Sequence, residues 1–317
     1  MKRIVFLGLV VFGILSLAAL SVSLFLLVNL DSLGRGRTDS APPKYLFAFY
    51  IPRTESRYFQ DIIKGAELAA KEYQAVLLYH SVDPLDNEIQ QAPFLEVNGY
   101  VICPNTEDPV IVSKIGQIQN KKNHVIVINH SVRSDKPAPF IGFNNYDVGK
   151  KMAHIVKQSE QTISHIAIVY SQKNPGIFAD RELVELGIRT ELQVQGLVAL
   201  ERFETSLNPL DAEALIDRLI KEYPQVQQVI FTDSSDTIAA AQALIDMNAV
   251  GRIQLVGFGN DQTIREYIRK GVIAASVVIN PEKIGYQAVK SLVELVTVGF
   301  TSATVDTGVE LLEKSSL

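Results

Sequence analysis

Short apolar segments alternate with amphipathic segments along most of the chain. Residues 45–51 (YLFAFYI) form an almost wholly apolar run that is typical of a buried strand. The next residues place apolar side chains at helical spacing, at Phe59, Ile62, Ala66 and Ala69. Because the predicted strands are apolar on both faces, their sheet has to be parallel and covered by helices on both sides. The pattern predicts an α/β fold built on doubly wound parallel sheets.

The alternation continues too far for a single sheet. Open sheets rarely exceed about ten strands, whereas two lobes of ordinary domain size fit this length. The pattern restarts after residue 143, and we therefore predict two similar doubly wound lobes. Later strands are expected at 75–79, 100–103, 124–129, 140–143, 165–170, 197–203, 229–232, 254–258 and 274–279.

The N-terminus carries the longest apolar segment. Residues 4–30 hold no charged side chain and follow Lys2 and Arg3. A bilayer crossing needs about 20 apolar residues, so residues 1–31 are predicted to form an uncleaved signal anchor with one transmembrane helix. Cleavage as a signal peptide is the alternative, although the run exceeds the usual apolar length of about 7–15 residues. The basic pair then stays in the cytoplasm, and the folded part lies outside the cytoplasmic membrane, after a linker at 32–44.

Charge, cysteine content and motifs exclude several classes of function. The 30 Lys and Arg against 35 Asp and Glu give a net charge of −5, and the basic residues form no stripe that could follow a nucleic-acid backbone. The single cysteine, Cys103, allows no intrachain disulfide and no cysteine-based zinc site, and its place at an apolar strand end favours a core role over a nucleophilic one. The sequence has no P-loop, HExxH or GxSxG motif. We expect neither catalysis nor a cofactor.

Polar residues gather at the carboxyl ends of the predicted strands, where open α/β sheets bind ligands. Amides, hydroxyls and aromatic rings outnumber charges at these ends. Amides offer paired donors and acceptors to hydroxyl groups, and aromatic faces cover the C–H surface of a sugar or a base. A small neutral ligand, sugar-like or nucleoside-like, is therefore favoured. The residues at these ends include Tyr58, Phe59, Asn129, His130, Asn144, Asp233, Ser234 and Asn260.

Five segments between Tyr45 and Leu312 share a recognisable pattern. They are RYFQDIIKGAELAAKEY, VIVINH, FIGFNNYDVGKKMA, VIFTDSSDTIAAAQAL and QLVGFGNDQTIREYIRKGVIAASVVINPEKIGYQAVK. Together they resemble the type I periplasmic binding proteins, especially the ribose-binding group, and the last segment is the most specific. The resemblance implies discontinuous lobes, formed by residues 45–143 plus 280–304 and by residues 144–279 plus 305–317.

The resemblance also implies roles for individual residues. Tyr58 and Phe59 match the aromatic pair that sandwiches the sugar, Asn144 falls at the crossover between lobes, and Arg181 lies near the ligand-binding arginine. Each has an alternative. The aromatic residues could belong to the core, Asn144 or Asn145 could only cap a helix, and Arg181 could be an exposed helix residue.

Several positions differ from the sugar-binding pattern. Asn129 and His130 stand where sugar binders commonly carry Asp-Arg. Cys103 replaces a common asparagine, Gly259 an aspartate, and Ile279 lies near the usual glutamine. Charge-assisted hydrogen bonds supply much of the affinity for sugar hydroxyls. These differences therefore argue against ribose-like specificity and for a different or less polar ligand.

The resemblance implies a binding function rather than an enzymatic one. The first expectation is a membrane-anchored solute-binding protein that closes its lobes on a small ligand and delivers it to an ABC permease. The alternative is a ligand sensor that signals to a membrane histidine kinase or chemoreceptor. In both, Tyr58, Phe59 and Asn129 are expected to contact the ligand from one lobe, and Arg181, Ser234 and Asn260 from the other.

Overall fold

The computed structural model describes residues 12–25, 43–53, 56–104, 108–158, 164–192 and 199–317. Its contacts divide the chain into two units, Met1–Pro43 and Lys44–Leu317. In the first unit, residues 12–25 are helical (α1), and the rest of the predicted span at 4–30 lies outside the described residues. Across the described part of the chain, no helix combines the length and apolar character that a membrane crossing requires. The transmembrane anchor stays a prediction, as does the linker, since residues 32–42 are not described.

The first sheet of the larger unit has six parallel strands in the order β11-β5-β4-β3-β1-β2. Its central strands are buried on both faces, as their continuous apolar sequence requires. The strands are β1 Tyr45–Ile51, β2 Ala75–Ser81, β3 Gly99–Ile102, β4 His124–Ile128, β5 Phe140–Gly142 and β11 Thr304–Asp306. The helices beside them are α2 Arg57–Tyr73, α3 Glu88–Gln91, α4 Pro109–Asn120 and α11 Pro281–Val298. We call this sheet with its helices the first lobe.

The second sheet also has six strands, in the order β12-β10-β9-β8-β6-β7. Its strands are β6 His165–Ser171, β7 Ala199–Thr205, β8 Gln228–Phe231, β9 Gln254–Phe258, β10 Ile273–Ile279 and β12 Val309–Leu312. The helices are α5 Asn145–Lys157, α6 Pro175–Ala179, α7 Arg181–Leu192, α8 Asp211–Glu222, α9 Ser234–Asp246 and α10 Gln262–Arg269. We call this sheet with its helices the second lobe. The predicted α/β fold with parallel sheets is confirmed, except that β12 pairs antiparallel to β10.

The chain passes between the two sheets three times, after β5, after β10 and between β11 and β12. After β10 it returns to the first sheet, because α11 packs against α2 and against β3 and β4. Glycines make this helix pair close: a Cβ on Gly65 would lie 1.8 Å from the carbonyl oxygen of Glu282, and one on Gly285 1.8 Å from that of Ile62. The residue limits predicted for the lobes stay a prediction, since residues 44–317 hold together as one compact unit.

Candidate functional site

The carboxyl ends of the two sheets face each other, and two cavities lie between the lobes. The first cleft cavity has a volume of about 430 Å³ and is bordered by two of the connections between the sheets, at 278–283 and 307–310. The second cleft cavity has a volume of about 320 Å³. It is lined by Arg53 and Phe59 from the first lobe and by Lys173 and Phe178 from the second. The fold therefore places both cavities where strand-end residues of the two lobes meet.

A cluster of polar side chains joins the lobes near these cavities, and all of them except the half-buried Asp180 are buried. We call Asn129, His130, Asn145, Asn174 and Asp180 the amide cluster. Asn145 donates from Nδ2 to the carbonyl oxygen of Gly176 at 3.3 Å and to Asp180 Oδ2 at 3.0 Å. His130 Nδ1 lies 3.4 Å from the same Asp180 oxygen, without the alignment of a hydrogen bond. Asp180 thus lies between His130, which follows β4 of the first lobe, and Asn145, which starts α5 of the second lobe.

Four atoms of the amide cluster have no hydrogen-bond partner among the described residues. They are Asn129 Nδ2, His130 Nδ1, Asn145 Oδ1 and Asn174 Oδ1, in side chains that are at most 5% exposed. Asn174 also lines the first cleft cavity, while its Nδ2 donates to the carbonyl oxygen of Thr232 at 2.9 Å. Buried polar groups in native proteins are nearly always paired, and an unpaired one costs about 1–3 kcal/mol. Asn129, His130 and Asn145 line neither cavity, so only the unpaired Asn174 Oδ1 belongs to a residue of a cavity wall.

Tyr58 and Phe59 are adjacent on α2 and border different cavities. The Tyr58 hydroxyl donates to Asn129 Oδ1 at 2.5 Å. Tyr58 lines the first cleft cavity. Burial raises the pKa of Tyr58 well above 10, with a smaller contribution from Cys103, so the hydroxyl stays a donor. Phe59 meets the Tyr58 ring edge-on at 5.2 Å between centroids, is 3% exposed and lines the second cleft cavity.

Asp233 and Ser234 begin α9 at the wall of the first cleft cavity. The Asp233 carboxylate caps the helix by accepting hydrogen bonds from the backbone of Ser235 at 2.9 Å and Asp236 at 3.1 Å. Burial, followed by the charge of Asp236, raises the pKa of Asp233 to about 6. Asn260 lines the same cavity and is exposed.

Asn144 and Arg181 are not brought to either cavity wall. Asn144 is exposed and caps α5, with Oδ1 accepting from the backbone of Tyr146 at 3.0 Å. Arg181 pairs with Glu204 at 3.0 Å, and its guanidinium lies 5.4 Å from the ring centroid of Phe178. The structure favours the capping role for Asn144, and ligand contact by these two residues stays a prediction.

Several residues of the site were not predicted from the sequence. Lys173 and Asn174 follow the carboxyl end of β6, so the rule that identified the other strand ends also applies to them. Lys173 is paired with the fully buried Asp236, which also accepts from Thr205 Oγ1 at 2.5 Å. Asp180 is harder to find, because it lies between α6 and α7 and not at the end of a strand.

Four of the eight charged residues that line the first cleft cavity form two ion pairs. Arg57 of the first lobe forms an ion pair with Asp261 of the second, and Lys64 pairs with Glu282 at 2.7 Å. In the described ranges, no group of three His, Cys, Asp or Glu side chains is arranged to hold a metal ion. Burial raises the pKa of the Cys103 thiol, which opposes the thiolate that a nucleophile needs.

Comparisons with known proteins agree with this fold. The family model described as a periplasmic binding protein domain matches residues 47–299, which confirms the resemblance inferred from the sequence. GanP, a glucose-galactose binding protein from Geobacillus stearothermophilus, is 21% identical, with 86% of this chain and 98% of that chain covered and a TM-score of 0.73. No curated protein matches the chain significantly.

Two further solved structures are similar to the chain at low sequence identity. One is a carbohydrate transporter solute binding protein from Agrobacterium radiobacter in complex with D-arabinose, with 19% identity, 87% and 96% coverage and a TM-score of 0.74. The other is a XylFII-LytSN complex, with 22% identity, 87% and 100% coverage and a TM-score of 0.74. Similarity at identities this low shows the shared fold alone.

Proposed function

Because the chain belongs to the periplasmic binding protein domain family, we propose that it is an extracytoplasmic, membrane-anchored protein that closes its two lobes on a small sugar-like ligand. The observation that carries this proposal is the amide cluster. Its four unpaired polar atoms are buried where the lobes meet, and one of their residues lines the first cleft cavity.

The chemistry of the site suits hydroxyl groups. A hydroxyl both donates and accepts, so a ligand hydroxyl in the first cleft cavity can pair with the free carbonyl oxygen of Asn174. Phe59 and Phe178 line the second cleft cavity from opposite lobes, where aromatic rings can cover an apolar C–H face. A neutral polyol with one less polar face fits this combination better than a charged ligand does.

Closure follows from the division of the site between the lobes. Tyr58, Phe59 and Asn129 belong to the first lobe, whereas Asn174 and Ser234 belong to the second. Only the closed arrangement presents both sets to one ligand, so a ligand that contacts both sets favours closure through its differential affinity.

The first role that we propose is delivery of the ligand to an ABC permease. It is supported by similarity in fold to a carbohydrate transporter solute binding protein. Signalling to a histidine kinase is the second candidate, and the fold match to the XylFII-LytSN complex favours it. A single tether also keeps one copy beside one membrane partner, which raises the effective concentration for either role.

The binding proposal is tested with the full chain in detergent and a panel of pentoses, hexoses, polyols and nucleosides. A ligand at 100 times its Kd is expected to stabilise the protein by about 2.7 kcal/mol in a thermal-shift experiment. Asn174→Ala should weaken binding by calorimetry, because it removes a polar group from the cavity wall. The matched control is Asn120→Ala at the exposed end of α4, outside both cavities, which should bind normally. Equal affinity in both variants would contradict the proposed site.

Cells that lack the protein distinguish delivery to a permease from signalling to a kinase. Loss of uptake of the identified ligand supports delivery to a permease. Normal uptake together with loss of a ligand-dependent kinase response supports sensing.

A further inference from the structure

The amino ends of the first-sheet strands form an outer face of the first lobe, at the opposite edge from the cleft. Phe94 is 75% exposed and Phe300 71% exposed on this face, and Val298 near the end of α11 is 61% exposed. Large apolar side chains exposed together at one surface mark sites of contact with a partner or a membrane.

Contacts along this edge connect the exposed residues into one surface. Lys121 Nζ lies 4.5 Å from the ring centroid of Phe94 and donates to the carbonyl oxygen of Pro93 at 2.8 Å. Further along the edge, Lys136 Nζ donates to Asn120 Oδ1 at 3.0 Å. The backbone N–H of Phe140 then donates to the carbonyl oxygen of Ala303 at 2.9 Å, close to Phe300 in the chain. We call Lys44, Phe94, Lys121, Lys122, Lys136, Val298 and Phe300 the amino-edge face.

The charge of the amino-edge face is predominantly positive. Its four lysines are exposed. Three carboxylates are close to it: those of Glu96 and Asp135, near in the sequence, and that of Glu294, which accepts a hydrogen bond from Thr301 beside Phe300. Exposed aromatic rings among lysines are typical of surfaces that lie in the headgroup region of an anionic membrane. We propose that the amino-edge face docks on the anionic lipid surface of the membrane that holds the chain.

The position where the chain enters the lobe supports a lipid surface over other partners. Lys44 immediately precedes β1 on this same edge, where its backbone N–H donates to the carbonyl oxygen of Gln74 at 2.8 Å. Only residues 31–43 separate Lys44 from the uncharged segment at 4–30, and thirteen residues span at most about 45 Å. If that segment anchors the chain, as the proposed function assumes, the amino-edge face is held within reach of the bilayer.

Docking in this orientation leaves the ligand site accessible. The cleft lies at the carboxyl ends of the strands, and the amino-edge face lies at the other end of the same parallel strands. A lobe that rests on the bilayer by its amino edge therefore keeps its cleft in solvent, where the ligand arrives.

The absence of tryptophan from the sequence allows a direct test. Full-length Phe94→Trp and Phe300→Trp proteins each carry a single indole, and they are reconstituted into vesicles of phosphatidylglycerol and brominated phosphatidylcholine. An interfacial side chain is buried about 5–10 Å, so we expect the bromine atoms to quench about half or more of the emission. The matched control is Leu85→Trp, at a residue that is 88% exposed beyond the carboxyl end of β2, and it should show little quenching.

The charge requirement is tested in the Phe94→Trp background. Lys122→Gln combined with Lys136→Gln should lower the quenching, whereas Lys270→Gln on the second lobe should leave it unchanged. Vesicles without phosphatidylglycerol should quench less than anionic vesicles.

Flotation of the same samples distinguishes the two proposals. If the chain floats with the vesicles but the indoles at 94 and 300 are quenched no more than the one at 85, the anchor stands and the lipid-docking face is wrong. If the chain does not float, the anchor and the docking face are both overturned.

Discussion

The Tyr58 hydroxyl donates a 2.5 Å hydrogen bond to Asn129 Oδ1, a residue 71 positions later in the chain. This bond fixes the start of α2 against the end of β4 inside the first lobe. It also uses the acceptor of the Asn129 amide and leaves the donor Nδ2 free in a side chain that is 1% exposed. Asn129 has a φ of 69°, in the left-handed region that asparagine tolerates better than most residues. The pair therefore presents a fixed, unused N–H group at the meeting point of the lobes.

Tyr58→Phe is expected to lower the free energy of unfolding by about 1–3 kcal/mol, because it leaves Asn129 Oδ1 buried without its donor. Urea unfolding at pH 7 measures the change. The matched control is Tyr267→Phe, which removes an exposed hydroxyl that donates to Gln242 at 2.7 Å and should change the free energy by less than about 0.5 kcal/mol. Equal effects at the two tyrosines would show that the bond to Asn129 has no special weight. Ligand affinity should also fall in Tyr58→Phe, since the orientation of the amide is no longer fixed.

Asp233→Asn is expected to stabilise the protein at pH 7 and to lose this advantage in acid. The pKa of Asp233 is raised from 3.8 to about 6. A raised pKa means that the contribution of this group to stability is fully present below pH 3.8 and is lost as the pH rises through about 6. Asparagine caps helices as well as aspartate does, so the variant should be more stable at pH 7 by on the order of 2–3 kcal/mol.

The measurement is urea unfolding of both proteins between pH 4.5 and 8, and the difference between them should shrink toward the acid end. Asp211→Asn provides a control of opposite sign, because hydrogen bonds from Ser206 lower the pKa of Asp211 and its removal should destabilise the protein at pH 7. A pH-independent difference for Asp233→Asn would contradict the raised pKa. If Asp233 also contacts the ligand, the more stable variant will bind more weakly.

Gly65→Ala is expected to destabilise the protein strongly, since the new Cβ would lie 1.8 Å from the carbonyl oxygen of Glu282 and would force α2 and α11 apart. Overpacking of this kind costs about 1–3 kcal/mol or more. Gly116→Ala is the matched control, because Gly116 lies in α4 and a Cβ there meets nothing within 4 Å. This substitution should stabilise the protein by up to about 1 kcal/mol through helix propensity. Thermal unfolding of the two variants should therefore shift in opposite directions.

The sequence predicts the repeating elements better than it predicts the site. β1 is apolar along its whole length and β4 is apolar after His124, so their burial between helices can be inferred locally. The four residues of β12 (VELL) give no such signal, and their antiparallel pairing with β10 depends on where the chain crosses between sheets.

In the candidate site, too, some features can be predicted from the local sequence and others depend on the tertiary structure. Strand-end residues Tyr58, Asp233 and Ser234 reach the first cleft cavity, as their position relative to the sheet predicts. The contact of His130 with Asp180 depends on how two lobes meet, which no local pattern encodes. Asn144 and Asn145 are adjacent and chemically identical, yet the first caps α5 in solvent and the second is buried in the amide cluster.

Closure of the lobes can be followed by a distance across the cleft. Leu85 and Leu207 are 88% and 63% exposed, belong to different lobes, and lie beside or in the wall of the second cleft cavity. Leu85→Cys and Leu207→Cys provide positions for spin labels in the full chain, while the native Cys103 is fully buried and should not react. We expect a broad distance distribution without ligand and a shorter, narrower one with a saturating ligand found in the sugar panel, because only the closed form offers both halves of the site.

The matched control is the pair Leu207→Cys and Val250→Cys within the second lobe, whose distance should not change with ligand.

Arg57→Gln tests whether an ion pair between the lobes holds them together in the absence of ligand. The Arg57–Asp261 ion pair joins the lobes, but the Arg57 side chain is 70% exposed, and surface pairs contribute only about 0–1 kcal/mol. Loss of the Arg57–Asp261 pair should shift the spin-label distances measured without ligand toward longer values. The distance with ligand should not change, since the ligand contacts contribute more than so weak a pair. If the distances with and without ligand coincide while binding is saturated, the lobes do not hinge, and a rigid scaffold for a protein partner becomes the better account of the fold.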